Sequence, residues 1–550
     1  MNPKQNPVVL YYPCGLVHFR NLKILQTCVP DLKFLVIVEA GILEKTPEIV
    51  ADVPVEDRIL VENGCLPPDL WQKSVSLLFL SMAYPTPFRL GMVYEAARRN
   101  IPVMAIEEVN QLALNDGIIN HYFMPLDFFG VASAVERDQF IALGLPGQRL
   151  EVTGWPFFDQ TALVQTEQEH EIRAHYGLPR DKKCCLLILG ALKENDMVSL
   201  ETQRVRDAIL EQVSKGLPEK YQLLIKPHPI ETDVALRLIR DRVPAAVIID
   251  PKLPIEPLLT LSDLIVNRGN SQVALLAMML KKPLIIIPVE LRTIFHGVLD
   301  VIISNSISDF SEIVTKYDQG KQIDYENILK IHFPLTQNQA RQRVRDLFHT
   351  ALNTAYPLNN VKQLYLSLLF AFLDENAWAE KVIDELPDQS KAILLKKLYR
   401  RKINYPEFQA LLEQFPEKMI SWHLQALYIR TLMNCYDKKL LSQALELLTD
   451  FSGLVNPHYF IDDVIAKIDL EYRAGRLEAA QQLVAKFQPE YSVYTFYHQA
   501  FDMLRFVHQP PSRHPGFRRV VWLLLNLNKS YFRRYLRNKW RALTPFHGTR

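Results

Sequence analysis

From residue 7 to about residue 150 the chain alternates short apolar runs with amphipathic stretches. The runs PVVLYY (7–12), FLVIVEA (34–40), RILVEN (58–63), VSLLFLS (75–81), IPVMAIE (101–107) and FFGVAS (128–133) each have the length of a strand. They stay apolar at consecutive positions instead of alternating, which predicts strands covered on both faces, as in a parallel sheet. Between them, PFRLGMVYEAARRN brings Leu90, Val93, Tyr94 and Ala97 to one helical face. This strand-helix alternation predicts an α/β fold with a doubly wound parallel sheet. EVTGWPFFD (151–159) reads as a short strand broken by Gly154 and Pro156. A second α/β series opens at KKCCLLILGA (182–191) and runs to roughly residue 352. Two such halves joined by a kinked connector predict a cleft between sheet edges.

From about residue 360 the strand-like runs stop and long helical patterns take over, among them VKQLYLSLLFAFL, ISWHLQALYIRTLM and DDVIAKIDLEYRAGRLEAAQQLVAKF. The last resembles a tetratricopeptide-type hairpin, with Gly475 at the turn and Ala479-Ala480 letting the next helix approach. Four segments are therefore expected: an acceptor-side α/β domain over 1–155, a donor-side α/β domain over 156–355, a helical-hairpin domain over 356–508 and a basic amphipathic tail over 509–550. The helical hairpins offer a surface for a protein partner.

Charge sharpens the last boundary. The chain holds 63 Lys and Arg against 61 Asp and Glu, but no acidic residue follows Asp502. Residues 503–550 carry 11 of the basic side chains, so the body is mildly acidic and the tail basic. In YFRRYLRNKWRAL, helical spacing puts Tyr531, Tyr535 and Trp540 on one side and Arg533, Arg537 and Arg541 on the other. With VVWLLLNL before it, this predicts an interfacial helix on an anionic membrane surface, in preference to nucleic-acid binding. The six cysteines show no CxxC spacing, which predicts reduced thiols. The N-terminus lacks a basic region followed by a long apolar segment, and no apolar run reaches the roughly 18 to 20 residues of a spanning helix. The expected location is cytoplasmic, peripherally bound to the inner face of the membrane.

The candidate chemistry concentrates in residues 221–289: YQLLIKPHP, then VIIDP, then SDLIVNRGNSQVALLAMMLKKPLIIIPV. Each apolar run ends in a polar turn, and ligands of open α/β sheets bind at that C-terminal edge. His228 leaves its strand between Pro227 and Pro229, which fix φ and remove amide donors. From that rigid exit an imidazole can donate to a phosphate oxygen. Asn267-Arg268-Gly269-Asn270-Ser271-Gln272 follows the strand DLIVN and opens a helix. Gly269 permits close backbone approach, Ser271 can cap the helix, and the exposed amides suit an anion. Together the two motifs predict a cradle for the phosphate of a nucleotide-activated donor, with Lys226, His228, Gly269, Asn270, Ser271 and Gln272 as donor-binding residues.

The order of these motifs resembles the donor domain of GT-B glycosyltransferases, in which two Rossmann-like domains face a cleft. It is most similar to the subgroup with a His-Pro motif and a downstream serine motif. That subgroup includes bacterial sialyltransferases, capsule Kdo transferases and CDP-glycerol glycerophosphotransferases, which points to capsule, lipopolysaccharide or similar polysaccharide biosynthesis. The resemblance covers roughly residues 7–350, and EVTGWPFFD resembles the interdomain segment of the wider superfamily, which includes UDP-GlcNAc 2-epimerases. It implies that His228 and Ser271 contact the donor phosphate. Two positions depart from the pattern: a ribose-binding glutamate of many relatives is Leu276, and the usual glycine before KP is Lys281. The missing carboxylate leans the donor toward CMP or CDP.

A catalytic base is expected from the first domain. Glu107 and Glu108 end the strand PVMAI, and Asn115-Asp116-Gly117 resembles the acidic-acidic-Gly motif of sialyltransferases. Asp116 and Glu108 are the two candidates, each needing partial desolvation to work near neutral pH. His121 is a possible auxiliary, and Cys14, His18 and Arg20 sit in the first loop, where acceptor contact and helix capping are both open. No GxxxxGK[ST] loop, HExxH motif or clustered metal ligands appear, so no metal or cofactor is expected beyond the donor itself. The sequence thus predicts a glycosyltransferase that moves a sugar or sugar-like phosphodiester unit to a cell-surface glycan or lipid-linked acceptor. The alternatives are a UDP-GlcNAc 2-epimerase-like enzyme and a non-catalytic scaffold whose repeats bind protein.

Overall fold

The computed structural model describes residues 6–13, 16–45, 47–62, 66–67, 69–81, 86–106, 124–142, 145–157, 166–189, 200–228, 231, 233–268, 272–287, 307–320, 324–354, 358–373, 375–415 and 418–433. Beyond these it describes 443–444, 446–447, 467–468, 470–472 and 474–491. Contacts group 1–159 with 327–463 as one compact unit, and 160–326 with 464–550 as another.

In the first unit β1 (Val8–Tyr12), β2 (Lys33–Glu39), β3 (Arg58–Val61), β4 (Val75–Leu80), β5 (Val103–Ile106), β6 (Phe128–Val131) and β7 (Leu150–Val152) form one sheet. Their order is β3-β2-β1-β4-β5-β6-β7, with every pairing parallel. The apolar runs read from sequence are these strands, and EVTG supplies the short last one. The helices between them are α1 (Leu16–Cys28), α2 (Ala40–Lys45), α3 (Pro47–Val50), α4 (Pro87–Arg98) and α5 (Ala134–Ala142).

In the second unit β8 (Lys183–Ile188), β9 (Tyr221–Lys226), β10 (Val247–Ile248), β11 (Leu264–Arg268) and β12 (Leu284–Ile287) pair in the order β10-β9-β8-β11-β12, again all parallel. Cys184 and Cys185 are neighbours within β8, buried and unpaired by disulfide. The surrounding helices are α6 (Thr166–His175), α7 (Leu200–Gly216), α8 (Asp233–Arg242), α9 (Glu256–Leu261), α10 (Gln272–Met279) and α11 (Ile307–Asp318). Ile209, Val213, Ile239, Phe310 and Val314 from α7, α8 and α11 pack one face of the sheet over Leu187, Leu223 and Val266. The fold class is therefore as expected, two doubly wound α/β sheets followed by helices.

After α12 (Tyr325–His332), helix α13 (Gln337–Asn353) covers the first sheet, although the sequence reading carries the donor-side domain to residue 355. Its Val344, Leu347, Phe348 and Ala351 join the core of β1, β2, β4 and β5. The Phe348 ring meets Phe79 at 5.1 Å and Phe34 at 6.2 Å. An amphipathic pattern announces a buried face without saying which sheet buries it.

The helical region continues with α14 (Asn360–Phe372), α15 (Asn376–Asp384), α16 (Gln389–Tyr399), α17 (Tyr405–Glu413) and α18 (Lys418–Met433). Asn359 caps α14, Asp388 caps α16, and Asn404 with Glu407 forms a capping box on α17. Every residue of α14 from Lys362 to Phe372 is buried, because α4, α15 and α18 surround it. This explains why α4 is buried beyond its predicted stripe, with Arg89, Met92 and Ala96 also covered: the sheet takes one side and α14 the other. Gly475, at φ +81°, turns the chain into α19 (Leu477–Tyr491), as the hairpin pattern predicts. The tail over 509–550 lies outside the described residues.

Candidate functional site

The strand order locates the site in the second unit. From β8 the chain moves outward through β9 to β10, then returns to the other side of β8 as β11 and continues to β12. Right-handed crossovers in opposite directions put α7 and α10 on opposite faces, which opens a crevice beyond the C-terminal ends of β8 and β11. β9 and its histidine border β8, and α10 starts just past β11.

His228 follows β9 through buried Pro227 and is half-buried. Its carbonyl accepts from the Glu231 amide at 3.0 Å, closing a tight turn. Burial, with the nearby Lys226 charge as a second cause, holds its pKa below the ordinary histidine value. The ring is therefore neutral at pH 7, with one N–H to donate and one lone pair to accept.

Lys226 is 5 % exposed, and its Nζ donates to the carbonyls of Asp250 at 3.0 Å and Pro251 at 2.5 Å. Its ammonium thus clamps the turn after β10, and its charge acts on His228 through space. Of the other expected donor-binding residues, Gln272 is the first residue of α10. Gly269, Asn270 and Ser271 lie outside the described residues, as do Asp116, Glu108, His121 and Cys14.

Leu276, the position expected from the resemblance to match the glutamate of many relatives, is half-buried in α10. At Lys281 the backbone is left-handed, φ +52°. Its amide donates to Met278 O at 2.9 Å and the Lys282 amide to Ala277 O at 3.0 Å. These are the two bonds of a Schellman helix end, which favours glycine. The fold keeps the glycine-type turn although the residue is lysine.

Sequence reasoning passed over Arg268. It ends β11, and its Nη1 donates to Leu189 O, one residue past β8, at 3.2 Å. The guanidinium therefore reaches across the mouth of the crevice. The signal lay in the same run, Asn267-Arg268-Gly269, in which attention falls on the glycine and the helix cap.

At the matching edge of the first sheet, Tyr12 ends β1 and its hydroxyl donates to Glu39 at the end of β2. The Arg89 guanidinium lies 5.4 Å from the centre of the Tyr12 ring, and Thr86 caps α4 by accepting from the Arg89 amide at 3.2 Å. His18 is buried in α1, with its carbonyl accepting from the Tyr11 hydroxyl at 2.9 Å. Glu136, fully buried in the first turn of α5, accepts from the Ala132 amide at 2.7 Å, while its Oε1 has no hydrogen-bond partner. Burial pushes its pKa up to about 7, against the pull of that amide. Among the described residues no group of three or more His, Cys, Asp and Glu could hold a metal ion, and no helix is long and apolar enough to cross a membrane.

Residues 127–349 match the family model of CDP-Glycerol:Poly(glycerophosphate) glycerophosphotransferase, a span that includes His228, Arg268 and all of α10. No curated protein matches the chain. Among solved structures, the wall teichoic acid polymerase TagF is 16 % identical, aligned over 64 % of this chain and 90 % of its own, with a TM-score of 0.42. UDP-GlcNAc 2-epimerase from Methanocaldococcus jannaschii is 13 % identical over 62 % of this chain and 99 % of its own, with a TM-score of 0.44. The family match falls on the half of the chain where the His-Pro and helix-start motifs stand. On a fold of two doubly wound parallel sheets, residues 127–349 of the chain resemble the CDP-glycerol glycerophosphotransferases.

Proposed function

We propose that the protein transfers a polyol-phosphate unit such as glycerophosphate from a CDP-linked donor to a hydroxyl of a glycan or lipid-linked acceptor, as in teichoic-acid-type polymers. In that reaction the acceptor oxygen attacks the β-phosphorus. The bond from that phosphorus to the bridging oxygen breaks, CMP leaves, and the acceptor proton passes to a base. His228 donates its N–H to the leaving phosphate as charge grows on it, and the start of α10 adds its amides. Asp116 and Glu108 remain the proposed bases. Attachment of the basic tail to an anionic membrane surface belongs to the same proposal, since a lipid-linked acceptor lies there.

The observation that carries this reading is the glycerophosphotransferase match across a crevice bordered by a neutral, rigidly held histidine. The test is CMP release from CDP-glycerol by the full-length protein with an acceptor bearing terminal polyol phosphate. CMP-linked sugars and UDP-GlcNAc run in parallel. Turnover of CDP-glycerol that is lost in His228→Ala supports the reading, whereas turnover of UDP-GlcNAc alone replaces it with the epimerase-like one.

A further inference from the structure

We infer that Arg268 is a binding residue for the donor's pyrophosphate and supplies a fixed positive charge to the crevice; this rests on the nucleotide-donor reading above. The strand order gives the second sheet one reversal, between β8 and β11. Arg268 is the last residue of β11, and its guanidinium bonds the first carbonyl past β8 at 3.2 Å, so it bridges that reversal. It is half-buried, and the bond to Leu189 O pins its direction.

The charges around it make the assignment specific. At the end of the adjoining strand β9, the Lys226 ammonium is drawn to the carbonyls of Asp250 and Pro251. His228 is held neutral by burial and by that same ammonium. The two groups on the His-Pro side thus offer hydrogen bonding and a distant charge, whereas a departing CMP carries growing negative charge on its phosphate. Arg268 stands where β8 and β11 part, one residue before the glycine that leads into α10. A guanidinium presents five N–H donors in a planar fork that fits phosphate oxygens in pairs, and the Leu189 carbonyl keeps that fork from swinging away. The same side chain that braces two strand ends is preset for the ligand, so little side-chain freedom is lost on binding.

The experiment measures binding of cytidine, CMP and CDP to full-length wild-type, Arg268→Lys and Arg268→Gln proteins by calorimetry at two salt concentrations, with thermal unfolding of each. Arg268→Gln is expected to weaken CDP more than tenfold, CMP less, and cytidine less than twofold, and to flatten the salt dependence of CDP binding. Arg268→Lys keeps the charge without the fork and should fall between. Equal weakening of cytidine and CDP, or an unchanged CDP affinity beside a lowered unfolding temperature, reduces Arg268 to a brace and overturns the inference. If Arg268→Gln does not fold, the lysine variant decides, with a loss for CDP that exceeds its loss for cytidine required. A wild-type protein that ignores CDP sinks the donor reading and this inference together, whereas wild-type binding retained by Arg268→Gln sinks this one alone.

Discussion

Lys362 Nζ lies 2.7 Å from Oδ1 and 2.8 Å from Oδ2 of Asp127, 235 residues earlier in the chain, and both side chains are 3 % exposed. Asp127 Oδ2 also accepts from the Val103 amide at 2.9 Å. This pair fastens α14, and with it the helical region, to the start of β6 in the first sheet. Burial holds the lysine pKa below its usual value, and the aspartate opposes that shift.

Removing one partner leaves a buried charge alone, so Asp127→Ala or Lys362→Ala is expected to cost about 3–5 kcal/mol of stability. The joint change Asp127→Ala with Lys362→Ala should cost much less than the sum of the two. Denaturant unfolding of the four proteins closes the cycle, and additive losses would show that the pair is not coupled.

His228 has a lowered pKa in the folded state, so the unfolded chain binds the proton more readily between that value and about 6.5. Its contribution is complete above about pH 6.5 and is lost as pH falls through the folded pKa. The stability of wild type relative to His228→Gln should therefore shrink on acidification from pH 7.5 to 5, read as the difference in unfolding midpoints. In the transfer reaction, His228→Ala is expected to reduce turnover on the order of 100-fold.

Glu136 behaves in the opposite sense. Its folded pKa is pushed up from 4.5 to about 7, so the folded protein holds the proton that the unfolded chain has released. Its contribution is full below about pH 4.5 and is lost as pH rises through about 7. Glu136→Gln mimics the neutral acid and is expected to be more stable than wild type at pH 8, with the advantage disappearing near pH 5. Parallel pH curves for the two proteins would contradict this.

At Lys281 the left-handed backbone carries a side chain that L-residues resist there. Lys281→Gly relieves that strain while adding freedom to the unfolded chain, for a net gain of up to about 1 kcal/mol. A higher melting temperature with unchanged CDP affinity is the expected result.

The sheets were legible because their strands are apolar at consecutive positions: PVVLYY, VSLLFL and KCCLLI could be little else between turn residues. His228 was legible because two prolines flank it. Arg268 was not, since a basic residue next to a glycine-rich turn looks solvated until the strand order shows which carbonyl it meets. The destinations of α13 and Asp127 were hidden for a related reason. Phe348 and Lys362 declare in sequence only that one is apolar and the other charged, and their partners stand hundreds of residues away. Asp116 rests on motif likeness and Glu108 on its place at a strand end, and both lie outside the described residues.

The seat of α13 on the first sheet has a consequence for biosynthesis. Phe34 and Phe79 leave the ribosome early, but the Phe348 ring that covers them is made only after the whole of 160–326. One face of the second sheet, by contrast, is packed by residues that all lie within 185–317. The first sheet thus waits for a helix made after the second sheet's strands, and an arrested chain ending near residue 159 would present an uncovered apolar sheet face to the chaperones that guard nascent proteins.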